Sequence, residues 1–301
     1  MHRHAHHADH AHAPQAYGRA FAIGIGLNLA FVGVEWVYGV LAGSLALMAD
    51  AGHNLGDVLG LVLAWTAYAL GRRKPSGRFS YGLGRSSILA ALFNALLLAA
   101  AVGAIIWEAV HRLLRPGAVE AGTMMVVAGI GIAINAGTAL LFLRGRHHDL
   151  NLRGAFLHMA LDALVSLGVV VAGLLVLKTG WTWVDPAVSL AISLVILGGT
   201  WGLLKEALNL ILDGVPNGIR LPEIRELLLT DARICDVHDL HVWAISTTEN
   251  ALSAHVVVRP GTQTDPLLAD LARVLHDRFG LTHTTIQVEH GDPDHPCEVR
   301  C

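Results

Sequence analysis

Charge is what this sequence has least of. Asp, Glu, Lys and Arg supply 15% of its 301 residues, against about a quarter in an ordinary soluble domain. A chain so poor in charge cannot clothe most of its length in solvated side chains, which excludes a conventional soluble globule. Cysteine is nearly as scarce. Only Cys235, Cys297 and Cys301 occur, an odd number confined to the C-terminal part, so no disulfide framework is suggested and a reducing compartment fits. Basic residues are in deficit where nucleic acid would need them: residues 214–301 carry 7 Lys+Arg against 13 Asp+Glu, a local balance of −6. Phosphate binding requires the opposite sign. The chain has no His-Glu-x-x-His sequence and no cleavable leader is expected, because its first apolar run is too long for a signal-peptide core.

What the chain has instead is apolar residues in blocks. They make up 53% of it and raise the mean hydropathy to +0.52. Six runs stand out, near residues 20–40, 45–70, 88–114, 123–143, 152–177 and 184–212. A helix of roughly 20 apolar residues crosses a bilayer and satisfies its own backbone polar groups there. Six transmembrane helices are expected. Arg3, Arg19, Arg72, Arg73, Lys74, Arg78, Arg85, Arg144, Arg146 and Arg153 collect on one side of them, with Arg112, Arg115 and Lys178 on the other. The positive-inside rule places the richer side in the cytoplasm, and an even number of spans brings both termini there.

After the last run, Asp213-Gly214-Val215-Pro216-Asn217-Gly218 reads as a turn-rich linker. Beyond it the pattern predicts a helix over 222–230, strands over 237–246 and 251–258, a helix over 266–279 and a strand over 284–290. An αββαβ order suits a small α+β sheet with helices on one face. The expected fold class is therefore a membrane all-α bundle of six transmembrane helices plus a cytoplasmic α+β domain. Residues 1–16 form a tail, 17–213 the membrane domain and 214–301 the cytoplasmic one. The tail holds His2, His4, His6, His7, His10 and His12 without periodicity, which predicts a disordered segment able to capture metal.

The informative residues are ionisable ones inside the spans, where each costs at least about 2.5–3.5 kcal/mol at the bilayer centre. The second run contains His53-x-x-x-Asp57 and the fifth contains His158-x-x-x-Asp162. Residues four apart share a helix face, so each span offers one imidazole beside one carboxylate. Two such faces together supply two nitrogens and two oxygens, a tetrahedral set suited to Zn2+. Buried His–Asp packing pairs are the alternative, but the same costly spacing on two spans favours metal. Asp50 lies on the face of His53 and Asp57 near the membrane edge, as an accessory carboxylate. Imidazole binds metal when neutral, so protons compete with the cation and loading releases them.

Taken together these segments resemble the cation diffusion facilitator family. The resemblance rests on the six spans, on Ser44-Leu-Ala-Leu-Met-Ala-Asp-Ala-Gly-His-Asn-Leu-Gly-Asp57, His158-Met-Ala-Leu-Asp162 and Leu212-Asp-Gly-Val-Pro216, and on Val237-His-Asp-Leu-His-Val-Trp243 and Thr285-Ile-Gln-Val-Glu289. It looks closest to the bacterial zinc/cadmium/cobalt branch. The resemblance implies a homodimer in the bacterial cytoplasmic (inner) membrane. There it would export a divalent cation by proton antiport and alternating access, Zn2+ first, with Cd2+, Co2+ or Ni2+ as other cargo.

The resemblance also assigns residues. His53, Asp57, His158 and Asp162 take the transport-site roles. In a metallochaperone-like cytoplasmic domain, His238, His255 and Glu289 match the family's zinc site and are expected to meet at one sheet edge, with His283 a further candidate. His241, His290, Cys297 and Cys301 are secondary candidates. Arg85 and Asp213 occupy the places of an interlocking ion pair. Some members carry another metal site between spans two and three; residues 72–80 here hold neither Asp nor His, so none is expected. A transporter rather than an enzyme is implied. The other classes are an intramembrane zinc-dependent enzyme, which would need an open coordination position for water, and a metal-sensing membrane protein.

Overall fold

A computed structural model describes residues 15–115, 117–142 and 150–290, less the side chains of 15–25, 27, 28, 61, 64, 68, 141, 142, 150–155 and 158. Outside this set fall the expectations for the histidines of the tail, Arg3, Arg144 and Arg146, the side chains of Arg19, Arg153 and His158, and Cys297 and Cys301.

The apolar runs form six long helices: α1 (Gln15–Ala42), α2 (Leu45–Gly71), α3 (Ser86–Leu114), α4 (Ala121–Phe142), α5 (Leu150–Thr179) and α6 (Val184–Ile211). Among the described residues five of them are long and apolar enough to cross a membrane, and the qualifying part of α1, Leu29–Ala42, is shorter. Trp65, Leu161 and Val195 remain 72%, 60% and 76% exposed. Water would penalise such surfaces and lipid does not, so the chain is a multi-pass membrane protein. Contacts divide it into two units, Met1–Val58 with Leu98–Gly198 and Leu59–Leu97 with Gly199–Cys301.

In the first unit, Phe31, Leu47, Met124, Val169 and Val176 belong to one buried apolar cluster. The turn between α1 and α2 is tight. Gly43 takes a left-handed φ of 63°, and Ser44 N–H returns to the Gly39 carbonyl at 3.0 Å, closing α1 as a glycine cap does. Ser44 then caps α2, its Oγ accepting from Leu47 N–H at 3.2 Å.

A second cap comes from across the unit. The buried carboxylate of Asp185 on α6 accepts from Ser44 Oγ at 2.5 Å and from the backbone N–H groups of Leu45 and Ala46 at 2.8 and 3.3 Å. It satisfies donors that a helix start leaves without intrahelical partners, and its negative charge suits the positive end of the helix dipole.

The second unit carries the sheet domain: α7 (Leu221–Leu229), β1 (Ile234–Ala244), β2 (Asn250–Val258), α8 (Thr264–Phe279) and β3 (Leu281–Glu289). Strand order is β1-β2-β3. β1 and β2 form an antiparallel hairpin, and β3 runs parallel to β2 after a crossover through α8. Alternation on β2 buries Leu252, Ala254 and Val256 against Ile224, Leu228, Leu267 and Leu275 of the two helices. Ser253, His255 and Val257 take the opposite, half-buried face. Arg233 ties the start of β1 to α8 by bonding Asp231 at 2.6 Å and Asp270 at 3.0 Å. Hydrogen bonds from that guanidinium hold the Asp231 carboxyl below its ordinary range.

The tip of the β1–β2 hairpin reaches the first turn of α3 within this unit. Thr247 N–H donates to Ser87 Oγ at 3.0 Å, and a Cβ placed on Gly84 would lie 3.1 Å from the Ile245 carbonyl oxygen. A side chain there would need the Ile245 carbonyl to give by a few tenths of an ångström. Gly84→Ala should therefore cost about 1–3 kcal/mol, the range for overpacking, read as a lower thermal unfolding midpoint of the detergent-solubilised protein. An unchanged midpoint would show that the hairpin tip does not hold this contact in solution.

Candidate metal centres

α2 places His53 and Asp57 one turn apart, and α5 brings Asp162 to them. His53 Nε2 lies 3.8 Å from Asp57 Oδ2 and 3.6 Å from Asp162 Oδ1. One ligand atom from each of the three falls within 4.8 Å of the others. Bonds of 2.0–2.1 Å to a tetrahedral Zn2+ place neighbouring ligand atoms roughly 3.3–3.4 Å apart, so these separations need only a slight contraction to enclose a cation. Asp162 is 2% exposed, while the side chains of His53 and Asp57 keep 23% and 32%. His158 precedes Asp162 by one helical turn and is the remaining member of the predicted set.

A second polar cluster lies in the same unit. Asp50 is fully buried. It does not join the three converging ligand atoms but accepts from Ser166 Oγ of α5 at 2.7 Å. Glu35 of α1, also fully buried, accepts from Asn54 Nδ2 of α2 at 3.3 Å.

On the sheet, His238 Nε2 meets Glu289 Oε2 at 3.2 Å and His255 Nδ1 meets Glu289 Oε1 at 2.9 Å. The two imidazoles stand edge to face with centroids 5.3 Å apart. These three residues form the second group whose ligand atoms lie within 4.8 Å of one another. Their setting corrects the expectation of a sheet edge. His255 is on the central strand, paired with His238 on one side, and Glu289 pairs with Val257 on the other. The cluster therefore spans the open face of all three strands.

Other sequence candidates lie elsewhere. His283 sits six residues before Glu289 on β3, roughly 20 Å away at the rise of a strand, exposed and in edge contact with Tyr81. That distance removes it from the cluster. His290 is exposed just past the end of β3 and is not among the converging residues. His241 is also outside that group, and its Nε2 bonds Asp239 Oδ1 at 2.9 Å. Arg85 and Asp213 form an ion pair within the second unit. Sequence reasoning passed over Asp185 and Asp239. Asp185 reads as an ordinary acidic residue opening a helix; the signal for Asp239 was its place between two histidines.

Two stretches of the chain match families of known proteins. Residues 21–212 match the cation efflux transmembrane domain and residues 216–291 the cation efflux protein cytoplasmic domain. The metal cation efflux system protein CzcD of Cupriavidus metallidurans is 38% identical over 97% of this chain and 92% of that protein. The zinc transporter ZitB of Escherichia coli is 36% identical over 95% and 92%. A cadmium, cobalt and zinc/H(+)-K(+) antiporter of Bacillus velezensis is 33% identical over 97% and 95%. With both domain families matched in order and relatives aligned almost end to end, the chain belongs to the cation diffusion facilitator family of metal cation efflux proteins.

Proposed function

We propose that this protein is a homodimeric exporter of divalent metal, Zn2+ first, that moves its cargo out of the bacterial cytoplasm across the inner membrane in exchange for protons. The reading places a histidine tail at residues 1–16, the transport domain at 17–213 and the cytoplasmic domain at 214–301, with both termini in the cytoplasm. The observation that carries it is the meeting of His53, Asp57 and Asp162 from two apolar helices. His158 completes the donor set, two nitrogens and two oxygens, which favours Zn2+ and also accommodates Cd2+, Co2+ and Ni2+. Relatives named as zinc transporters and as a cadmium, cobalt and zinc/H(+)-K(+) antiporter support the cargo and the coupling. The donors bind metal only when unprotonated, so acidifying the receiving side weakens the site there and drives release. The cluster of His238, His255 and Glu289 is the cytoplasmic metal site of this reading.

Sealed vesicles bearing the purified protein test it. Zn2+ entry should follow an imposed pH gradient, acidic on the receiving side, and each arriving ion should be matched by proton movement the other way. Entry that ignores the gradient and survives a protonophore would replace the exchanger with a channel.

A further inference from the structure

We infer that Asp239 positions His255 for metal: its carboxylate takes the hydrogen on Nε2 and leaves Nδ1 to the cation. The inference rests on the proposed reading of His238, His255 and Glu289 as a metal site. A neutral imidazole carries one N–H and one lone pair, and a carboxylate only accepts. A carboxylate faces each ring nitrogen, so in the metal-free ring the hydrogen has an acceptor on either side; once metal takes the nitrogen inside the cluster, the hydrogen is left to Nε2 and the lone pair in use is that of Nδ1. That is the atom 2.9 Å from Glu289 Oε1, inside the cluster, while Nε2 lies 3.5 Å from Asp239 Oδ2. The other Asp239 oxygen bonds His241 Nε2 at 2.9 Å, so His241 braces the carboxylate from its far side.

The backbone is shaped for this contact. The register of β1 slips between His238 and His241, where His238 pairs with His255 and His241 with Ser253. One extra residue in a strand reverses the alternation beyond it. Val237 and Val242, five apart, are consequently both buried, and His238 and His241, three apart, share the open face. Asp239 lies inside the slip with φ 49°. A left-handed residue other than glycine is uncommon, and glycine would take this conformation at no steric cost. Aspartate is among the few non-glycine residues that adopt this conformation, and here it also adds two oxygens, each set against an imidazole.

Asp239→Gly tests this directly, because it eases the backbone and deletes the carboxylate. In full-length protein carrying Asp162→Ala to suppress binding at the transport site, Zn2+ affinity is measured by competition with a chromophoric chelator. Asp239→Gly should weaken it by about 10- to 100-fold, as loss of a hydrogen-bond partner behind a metal-bound histidine does, while the metal-free unfolding midpoint stays level or rises. Asp239→Asn, which keeps an acceptor oxygen and tolerates the same φ, should recover part of the loss. Parental affinity in Asp239→Gly, or a loss as complete as in His255→Ala, would overturn the positioning role, the latter by making Asp239 a ligand itself. Unchanged affinity in His255→Ala would instead refute the metal reading beneath it.

Discussion

Asp162→Ala should abolish Zn2+ transport, lowering uptake by more than about 100-fold, because even partners behind metal ligands are worth 10- to 100-fold in affinity. The carboxylate is almost wholly buried and stands 3.6 Å from His53 Nε2. On the proposed reading, alanine there removes one ligand and one of the negative charges that balance a divalent ion in a medium with little water. Its neighbours are left with too few donors to replace the ion's hydration shell. Asp57→Ala should behave alike, since Asp57 supplies the second oxygen of the set. Leu161→Ala is the control: the side chain is 60% exposed on the same helix and should leave transport unaltered. The measurement is initial Zn2+ flux into vesicles of equal protein content, with dimer formation checked by size exclusion. Parental flux in both aspartate variants would remove these residues from the transport site.

The largest stability effect is expected at Asp185. Its carboxylate accepts three hydrogen bonds at the start of α2, each worth about 1.5–3 kcal/mol when the acceptor is charged. Burying the charge offsets part of this, as it does for any ion removed from water. Asp185→Ala leaves a hydroxyl and two backbone N–H groups without their acceptor, and the net cost should be about 3–5 kcal/mol. For a chain of this kind that lowers the unfolding midpoint by roughly 10 °C. Asp185→Asn keeps one acceptor oxygen and should lose less than half as much. A midpoint for Asp185→Ala within a degree of the parent would mean that the cap contributes nothing to stability.

The helices were legible because apolar runs of bilayer length admit one regular structure in lipid. The turn-rich stretch Asp213–Gly218 marked the end of the last one. The His-x-x-x-Asp spacing was legible for a similar reason: four residues make one helical turn, so the pair had to share a face. Nothing in a single sequence says which buried groups of different helices will touch. The link between Glu35 and Asn54, the bond from Ser166 to Asp50 and the cap from Asp185 to Ser44 each join positions that only packing brings together. In the sheet domain, alternation told which residues of each strand face the same way but not the order of strands. His238, His255 and Glu289 were accordingly expected at an edge and instead cross the whole face. The slip in β1 was hidden for a different reason, since Asp239 carries no sequence mark of a left-handed backbone such as glycine would give.

The cap that Asp185 places on α2 also limits how the transport helices can swing. The N-terminal ends of α2 and α6 are held together by three hydrogen bonds buried within the protein. Prising them apart by an ångström or two would strand every one of those donors at once. If the proposed exchange turns His53 and Asp57 from one compartment to the other by rocking α2, that motion must take the head of α6 with it, as a paired lever rather than a lone rod.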